Sequence, residues 1–149
     1  MNKPVFILNG PNLNRLGTRE PEIYGHTTLA EIGTMCREAA GARPVEFRQS
    51  NREYEIVEWV HEAIDAPACG IIINPAAFTF TSIAILDALK MFPGPIIELH
   101  ISNIHRREDI YQKSLVSRIA TAVIAGLGPK GYATAVQAMN DLAEASKPG

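Results

Sequence analysis

Short apolar runs alternate along this chain with longer segments in which apolar residues recur at helical spacing. The runs predict five strands, at 5–8, 45–47, 70–73, 96–101 and 120–125. Each run is nearly continuous in apolar residues, a pattern typical of strands with both faces buried. The chain is therefore expected to form a parallel sheet between two layers of helices.

The segments between the strands predict the helices. Thr28 and Ser50 each stand three residues before a glutamate, Glu31 and Glu53, which is the spacing of a capping box at a helix start. Apolar residues follow both pairs at helical intervals. Two further helices are predicted at about 82–91 and 131–145. The alternation predicts an α/β, flavodoxin-like open five-stranded parallel sheet in the order 2-1-3-4-5, with helices on both faces.

Length and charge narrow the class of protein. With 149 residues, the chain has the size of one domain, spanning 1–149. Fourteen Lys and Arg against sixteen Asp and Glu give a net charge of −2 without a block of like charge, which argues against a nucleic-acid binder. This balance is compatible with a small anionic substrate, because such a ligand needs only local positive groups.

The distribution of apolar residues and cysteines bears on the compartment. No apolar stretch reaches the roughly 18 residues of a membrane span, and the run Val5–Leu8 is too short for a signal sequence. Cys36 and Cys69 lie among apolar residues and are expected to be reduced thiols, with a disulfide between them as the alternative. These features predict a cytoplasmic protein that does not bind a membrane.

Polar residues gather where three of the predicted strands end. Strand one ends in Asn9–Asn12, strand three in Asn74–Pro75 and strand four in Glu98–Asn103. In the predicted order these strands are neighbours, and ligands bind α/β sheets beyond the carboxyl ends of their strands. We therefore expect one cleft that collects these polar ends.

Glu98 and His100 are the strongest candidates for chemistry in this cleft. They are two apart on one strand and so point to the same face. A carboxylate can orient an imidazole and favour its protonated form, which suits a general acid. The alternative is a buried ion pair without chemistry. No metal site is predicted, because His100 and His105 lack a carboxylate or cysteine at a recognised ligand spacing.

The segment 10–27 has no helical or strand period, and loops of this length are usually functional. Its second half, 17–25, begins at Gly17 and ends at Gly25, and because these two glycines can act as hinges, a lid is predicted at about 17–26. Within it, Arg19 can approach Tyr24, and a cation about 4 Å from a phenolate contributes up to ~4 kcal/mol at an effective dielectric of 20. Tyr24 could then serve as a base; the alternative is a packed tyrosine beside a solvated arginine.

Four segments carry a resemblance to a known family: Leu8–Asn14, Gly17–Gly25, Asn74–Ala77 and Glu98–Asn103. Together and in this order they look like the motifs of the type II 3-dehydroquinate dehydratases. The resemblance covers almost the whole chain at the family's length. It implies a flavodoxin-like fold, assembly as a dodecamer of trimers, and no metal or cofactor. It also implies anti elimination of water from 3-dehydroquinate through an enolate, giving 3-dehydroshikimate in the shikimate or quinate pathway.

The resemblance also implies the proton-transfer groups. Tyr24 would take the C2 proton, with Arg19 holding it as phenolate, and Asn12 would position a water that stabilises the enolate oxygen. His100, oriented by Glu98, would protonate the leaving C1 hydroxyl. This set agrees with what β-elimination requires, namely a base, an oxyanion stabiliser and an acid.

Further residues are implied to bind the substrate. Asn74 and the backbone amides of Ile101 and Ser102 would hold it. Asp87 would reach the site of an adjacent subunit.

The chain departs from the family at two positions that contact the substrate away from the breaking bond. Phe80 stands where the family usually has His, and Tyr111 where it usually has Arg. Compensation could come from Arg106, Arg107 or Lys113. The departures leave two alternatives open: the same elimination on a related, less hydroxylated cyclic acid, or a non-catalytic family member.

Overall fold

The computed structural model describes residues 2–18 and 21–145, except for the side chains of Ile23 and Tyr24. Its centre is a five-stranded parallel sheet in the order β2-β1-β3-β4-β5, which confirms the predicted order. The strands are β1 (Val5–Asn9), β2 (Val45–Gln49), β3 (Gly70–Asn74), β4 (Ile96–His100) and β5 (Ala122–Ala125). The predicted strands therefore differ from the observed ones by one or two residues at their ends.

Helices cover both faces of the sheet. They are α1 (Pro21–Tyr24), α2 (Leu29–Ala40), α3 (Glu53–Asp65), α4 (Ile83–Lys90) and α5 (Lys130–Ala145). Helices α2 and α5 pack on one face and α3 and α4 on the other, and each pair closes a separate apolar cluster against the sheet. Successive strand residues enter opposite clusters, as Ile7 and Leu8 do in β1. Within the described part of the chain, no helix combines the length and apolar character needed to cross a membrane.

The expectation that the strands are buried on both faces holds only for the centre of the sheet. All residues of β1, β3 and β4 are buried. The expectation is wrong for the edge strands, because every residue of β2 is half-buried and Val123 in β5 is 44% exposed. An edge strand has a neighbour on one side only, so the packed helices cover it incompletely.

One of the two predicted capping boxes forms. The Thr28 hydroxyl accepts from the backbone N–H of Glu31, whose carboxylate accepts from the Thr28 backbone N–H at 3.1 Å. The prediction of a second box at Ser50 and Glu53 is wrong. Helix α3 begins at Glu53, and the Ser50 hydroxyl accepts from the backbone N–H of Arg52. Ser50 is still tied to the sheet, since its N–H donates to the Asn9 carbonyl, so the chain turns before the helix can start.

The segment 10–27 contains more regular structure than the sequence predicts. A 3₁₀ turn spans Leu13–Arg15, and α1 is a single helical turn. Leu13 and Leu16 are buried in the cluster beneath α2 and α5 and fix the first half of the segment to the core. Such elements are too short to show a hydrophobic period, and the sequence therefore did not reveal them.

Candidate active site

A cavity of about 230 Å³ opens at the carboxyl ends of β1, β3 and β4. It lies where the sequence predicts that the polar strand ends converge. Its lining comes from the strand ends and the loops that follow them: Pro11, Asn12, Leu13, Asn74, Ala76, Ala77, Phe80, His100, Ile101, Ser102, Ile104, Arg107 and Tyr111.

The backbones that follow β1 and β3 approach each other closely beside this cavity. The Gly10 N–H donates to the Asn74 carbonyl at 2.8 Å, and a Cβ at Gly10 would lie 2.3 Å from the Pro75 carbonyl oxygen. Only glycine fits there without moving the backbone. Two residues later Asn12 adopts a left-handed conformation (φ 71°), and its N–H donates to the Asn51 side chain at 2.9 Å. These contacts fix the backbone that presents Asn12 to the cavity.

Asn74 is held by buried hydrogen bonds on the face of the sheet that α2 and α5 cover. Its amide donates to the Tyr132 hydroxyl at 3.0 Å, and that hydroxyl donates to the Asn9 side chain at 2.7 Å. The Asn74 side-chain oxygen accepts from the Ala76 N–H at 3.2 Å. Tyr132 is fully buried in α5, and burial raises the pKa of its phenol, so the hydroxyl stays protonated. Sequence reasoning missed Tyr132, because its position on a helix face looks like ordinary core.

Glu98 and His100 form a buried pair at the end of β4. The His100 Nε2 lies 2.5 Å from a Glu98 carboxylate oxygen. Glu98 is fully buried, whereas His100 lines the cavity. The second ring nitrogen, Nδ1, has no hydrogen-bond partner among the described residues, so it is the atom available to a molecule in the cavity.

Two serines that the sequence did not single out complete the surroundings of Glu98. The Ser114 hydroxyl donates to the Glu98 oxygen that His100 contacts, at 2.8 Å, and the Ser117 hydroxyl donates to the other oxygen. Burial raises the pKa of the Glu98 carboxyl, but the hydrogen bonds from the imidazole and the two hydroxyls outweigh it and hold that pKa below its ordinary value. Glu98 is therefore a carboxylate at neutral pH.

Phe80 and Tyr111 form one wall of the cavity. Their rings meet edge to face, with centroids 5.5 Å apart and planes at 75°. The Arg107 guanidinium lies over the Tyr111 ring, 4.1 Å from its centroid. Of the three cations considered as compensation, Arg107 lines the cavity, whereas Arg106 and Lys113 do not.

The remaining predicted site residues fall into three groups. Ile101 and Ser102 line the cavity. Asp87 lies on α4 with its side chain 67% exposed and 3.8 Å from the Lys90 amine, outside the lining of this cavity. Arg19 and the Tyr24 side chain lie outside the described residues.

The described part of the site has the groups for proton transfer. An imidazole faces the cavity with a buried carboxylate behind it, and an asparagine held in one orientation stands nearby. Such a pair can donate a proton to, or accept one from, a bound molecule. Among the described residues, no group of three or more His, Cys, Asp or Glu is arranged to hold a metal ion.

Known proteins resemble this chain over nearly its full length. It is 54% identical to the 3-dehydroquinate dehydratase of Streptomyces avermitilis, over 98% of this chain and 93% of that protein. It is 57% identical to 3-dehydroquinate dehydratase 2 of Agrobacterium fabrum, over 91% of this chain and 93% of that protein.

Solved structures give the same relationship. A type II dehydroquinase from Propionibacterium acnes superposes with a TM-score of 0.88 at 44% identity, covering 97% of this chain and 98% of its own. One from Butyrivibrio crossotus has a TM-score of 0.90 at 38% identity, covering 93% and 98%. The family model described as dehydroquinase class II matches residues 3–140. The chain therefore belongs to the class II dehydroquinase family.

Proposed function

We propose that this protein is a type II 3-dehydroquinate dehydratase, a hydro-lyase that converts 3-dehydroquinate to 3-dehydroshikimate and water. The observation that carries the proposal is the His100–Glu98 pair, whose imidazole lines the cavity at the carboxyl ends of β1, β3 and β4. Support comes from relatives of 54% and 57% identity that carry this name. No metal or cofactor takes part in the proposed reaction.

The proposed reaction is an anti elimination in two proton transfers. Tyr24, held as phenolate by Arg19, removes a proton from C2, and the electron pair moves to the C3 oxygen as an enolate. A water positioned by Asn12 stabilises this oxygen. The enolate then collapses, the C1–O bond breaks, and His100 protonates the departing hydroxyl, which leaves as water.

The remaining residues of the proposed site bind and orient. Glu98 fixes the imidazole through its 2.5 Å contact with Nε2. Asn74 and the backbone amides of Ile101 and Ser102 hold the substrate at the end of the cavity that β3 and β4 form. The segment 17–26 remains a predicted lid within a single domain.

A second candidate substrate is favoured by the aromatic wall of Phe80 and Tyr111. An aromatic face offers no hydrogen bond to a ring hydroxyl, but it packs well against a ring that lacks one. The same elimination on a related, less hydroxylated cyclic acid is therefore the alternative. A non-catalytic family member is less well supported, because a binding protein has no need of an oriented imidazole beside a buried carboxylate.

The deciding experiment incubates the purified protein with 3-dehydroquinate and follows the ultraviolet absorbance of the conjugated enone product. The matched control is Tyr24→Phe, which removes one oxygen atom and is expected to abolish turnover. A rate in the control above about a tenth of wild type, equivalent to less than ~1.4 kcal/mol, shows that Tyr24 is not the base. No product from wild type overturns the proposed substrate, and a less hydroxylated acid is then the substrate to assay.

We infer that the protein acts as a homo-oligomer built from trimers, up to a dodecamer, with Asp87 contributing to a neighbouring subunit's site. The exposed position of Asp87 on α4 is consistent with this role. We also infer that it works in the cytoplasm, which is supported by the unpaired thiols of Cys36 and Cys69.

A further inference from the structure

The turn at residues 114–117, called the serine turn below, contacts the catalytic pair from outside the cavity. Neither Ser114 nor Ser117 belongs to the cavity lining. Both hydroxyls nevertheless donate to Glu98, one to each carboxylate oxygen. The hydrogen bonds of the serine turn to the described residues therefore connect it to the proposed acid His100 through Glu98.

A contact within the turn fixes the direction of the Ser114 hydroxyl. The Ser117 backbone N–H donates to the Ser114 oxygen at 3.1 Å. That oxygen already has an N–H pointing at it, so its own proton is directed to Glu98.

Two further contacts anchor the serine turn to the rest of the molecule. The Leu115 N–H donates to the Thr79 carbonyl at 2.9 Å, in the turn that also carries Phe80. Val116 is fully buried in the cluster beneath α3 and α4. The serine turn is thus built as a rigid donor for a carboxylate.

A buried carboxylate needs such donors. Glu98 is fully buried, and among the described residues its ion-pair partner is His100 alone. Burial without hydrogen bonds favours the neutral acid. A neutral Glu98 would lose its attraction for the imidazolium, and a rotated one would leave Nε2 unpaired and release the ring from its orientation.

We propose that Ser114 and Ser117 are positioning residues for the acid step, which keep Glu98 ionised and fixed in one plane so that His100 presents Nδ1 to the leaving hydroxyl. The assignment of the leaving group rests on the proposed function. The effect of the serine turn on the Glu98 carboxylate does not depend on the proposed function, and it can be measured in the protein without substrate.

The kinetic test compares Ser114→Ala, Ser117→Ala and the double variant with wild type. Each single variant is expected to lower kcat about threefold to tenfold with KM changed less than twofold, and the double variant more. Ser117→Thr keeps the hydroxyl at an exposed position and should restore the rate. The control is Thr134→Ala, which removes an exposed hydroxyl from α5 that donates only to the Lys130 carbonyl, and it should leave kcat unchanged.

The pH profile separates positioning from a structural role. With fewer hydrogen bonds to its anion, Glu98 takes up a proton at higher pH, so the acid limb of kcat should move upward by about half a unit to one unit in each single variant. A loss of kcat at all pH values without this shift contradicts the proposal.

A titration that needs no turnover distinguishes the role of the serine turn from the proposed dehydratase function. In protein labelled with ¹³C at the glutamate carboxyls, the Glu98 resonance, assigned with Glu98→Gln, should titrate at higher pH in both alanine variants than in wild type. An unchanged midpoint overturns the role of the serine turn, even if kcat falls. A shifted midpoint in a protein that does not dehydrate 3-dehydroquinate upholds that role and overturns the proposed substrate.

Discussion

Phe80 and Tyr111 are the two cavity residues at which the sequence resemblance implies a departure from the family. Their rings pack against each other, and neither offers the His or Arg that the family uses on the substrate. A hydrogen bond lost to a charged or buried group costs roughly 1.5–3 kcal/mol, so wild type is expected to show a high KM for 3-dehydroquinate. Arg107 lies over Tyr111 and supplies a positive charge to the same wall, which limits the loss.

We predict that Phe80→His combined with Tyr111→Arg raises kcat/KM for 3-dehydroquinate at least about tenfold, or ~1.4 kcal/mol. Both changes restore a polar contact in a wall that the scaffold still frames. The two single variants should not add, because the rings touch each other.

Steady-state kinetics on wild type, both single variants and the double variant measures this effect. Tyr54→Arg makes the same kind of change on α3, where the side chain is 60% exposed, and it should leave kcat/KM unchanged. A double variant no better than wild type would show either that other residues bind the substrate in place of His and Arg, or that the natural substrate lacks the hydroxyls that His and Arg bind.

Among the secondary-structure elements, helix α5 contacts the candidate site through one hydroxyl, on the face of the sheet that α2 and α5 cover. The Tyr132 hydroxyl joins Asn9 at the end of β1 to Asn74 at the end of β3. Tyr132→Phe leaves one buried amide oxygen and one buried amide N–H without their partner. We expect the free energy of unfolding to fall by about 1–3 kcal/mol, since unpaired buried polar groups cost this much.

Urea unfolding of Tyr132→Phe against wild type measures this cost. Tyr54→Phe removes the same atom from an exposed side chain and should change the free energy of unfolding by less than ~0.5 kcal/mol. The Asn74 amide should also lose its fixed orientation, so kcat/KM of Tyr132→Phe should fall. Equal stability of the two variants would mean that the buried hydrogen bonds do not hold the strand ends together.

The elements themselves could be predicted because their signals are local. The apolar runs of β1, β3 and β4 and the capping box at Thr28 depend on residues a few positions apart. The same capping spacing at Ser50 failed because the chain there is still bonded to β1, a contact 41 positions away in sequence that no local pattern contains.

The candidate site divides in the same way. The predicted strand order placed the polar strand ends side by side, and the spacing of Glu98 and His100 predicted their contact. The supporting groups were missed, because Tyr132 bonds to Asn9 across 123 residues and looks like a core residue of its helix. Ser114 is equally ordinary in sequence, and only the packing of its turn against β4 brings it to Glu98.

The free energy of unfolding of the whole protein depends on pH through Glu98. Its pKa is held below the ordinary value of 4.5 in the folded protein by the imidazole and the two hydroxyls. A lowered pKa contributes stability at pH above the unfolded value, and this contribution is lost as pH falls through the folded pKa. Glu98→Gln cannot titrate, so the gap in free energy of unfolding between wild type and Glu98→Gln should be larger at pH 7 than at pH 3.

Urea unfolding of both proteins at the two pH values, at one protein concentration, measures that gap. A gap of the same size at pH 3 and pH 7 would show that the Glu98 carboxylate adds nothing to stability in its buried position.

Assembly is the largest scale at which the site can be tested. Ile83 and Asp87 on α4 and Met91, the residue that follows the helix, are spaced four residues apart and share one face, and Ile83 and Met91 are 63% and 56% exposed. Large apolar side chains around an exposed carboxylate suit a contact with a second copy of the chain. A symmetric interface of this kind would place Asp87 near a neighbour's cavity.

The prediction is that two inactive variants restore each other when they share one oligomer. Tyr24→Phe and Asp87→Ala should each be nearly inactive alone. In mixed oligomers, a site that takes Tyr24 from one subunit and Asp87 from its neighbour is complete, and about a quarter of the sites meet this condition after random mixing, because each of two independent choices is right half of the time. Co-expression followed by the enone absorbance assay measures the recovered rate, and light scattering gives the mass of the assembly.

Ile83→Glu should dissociate the assembly, since a charge then replaces an apolar contact, and activity should fall with the mass. Recovery no higher than that of either variant alone, or a wild-type mass of 16.3 kDa at working concentration, would show that each subunit carries a site of its own.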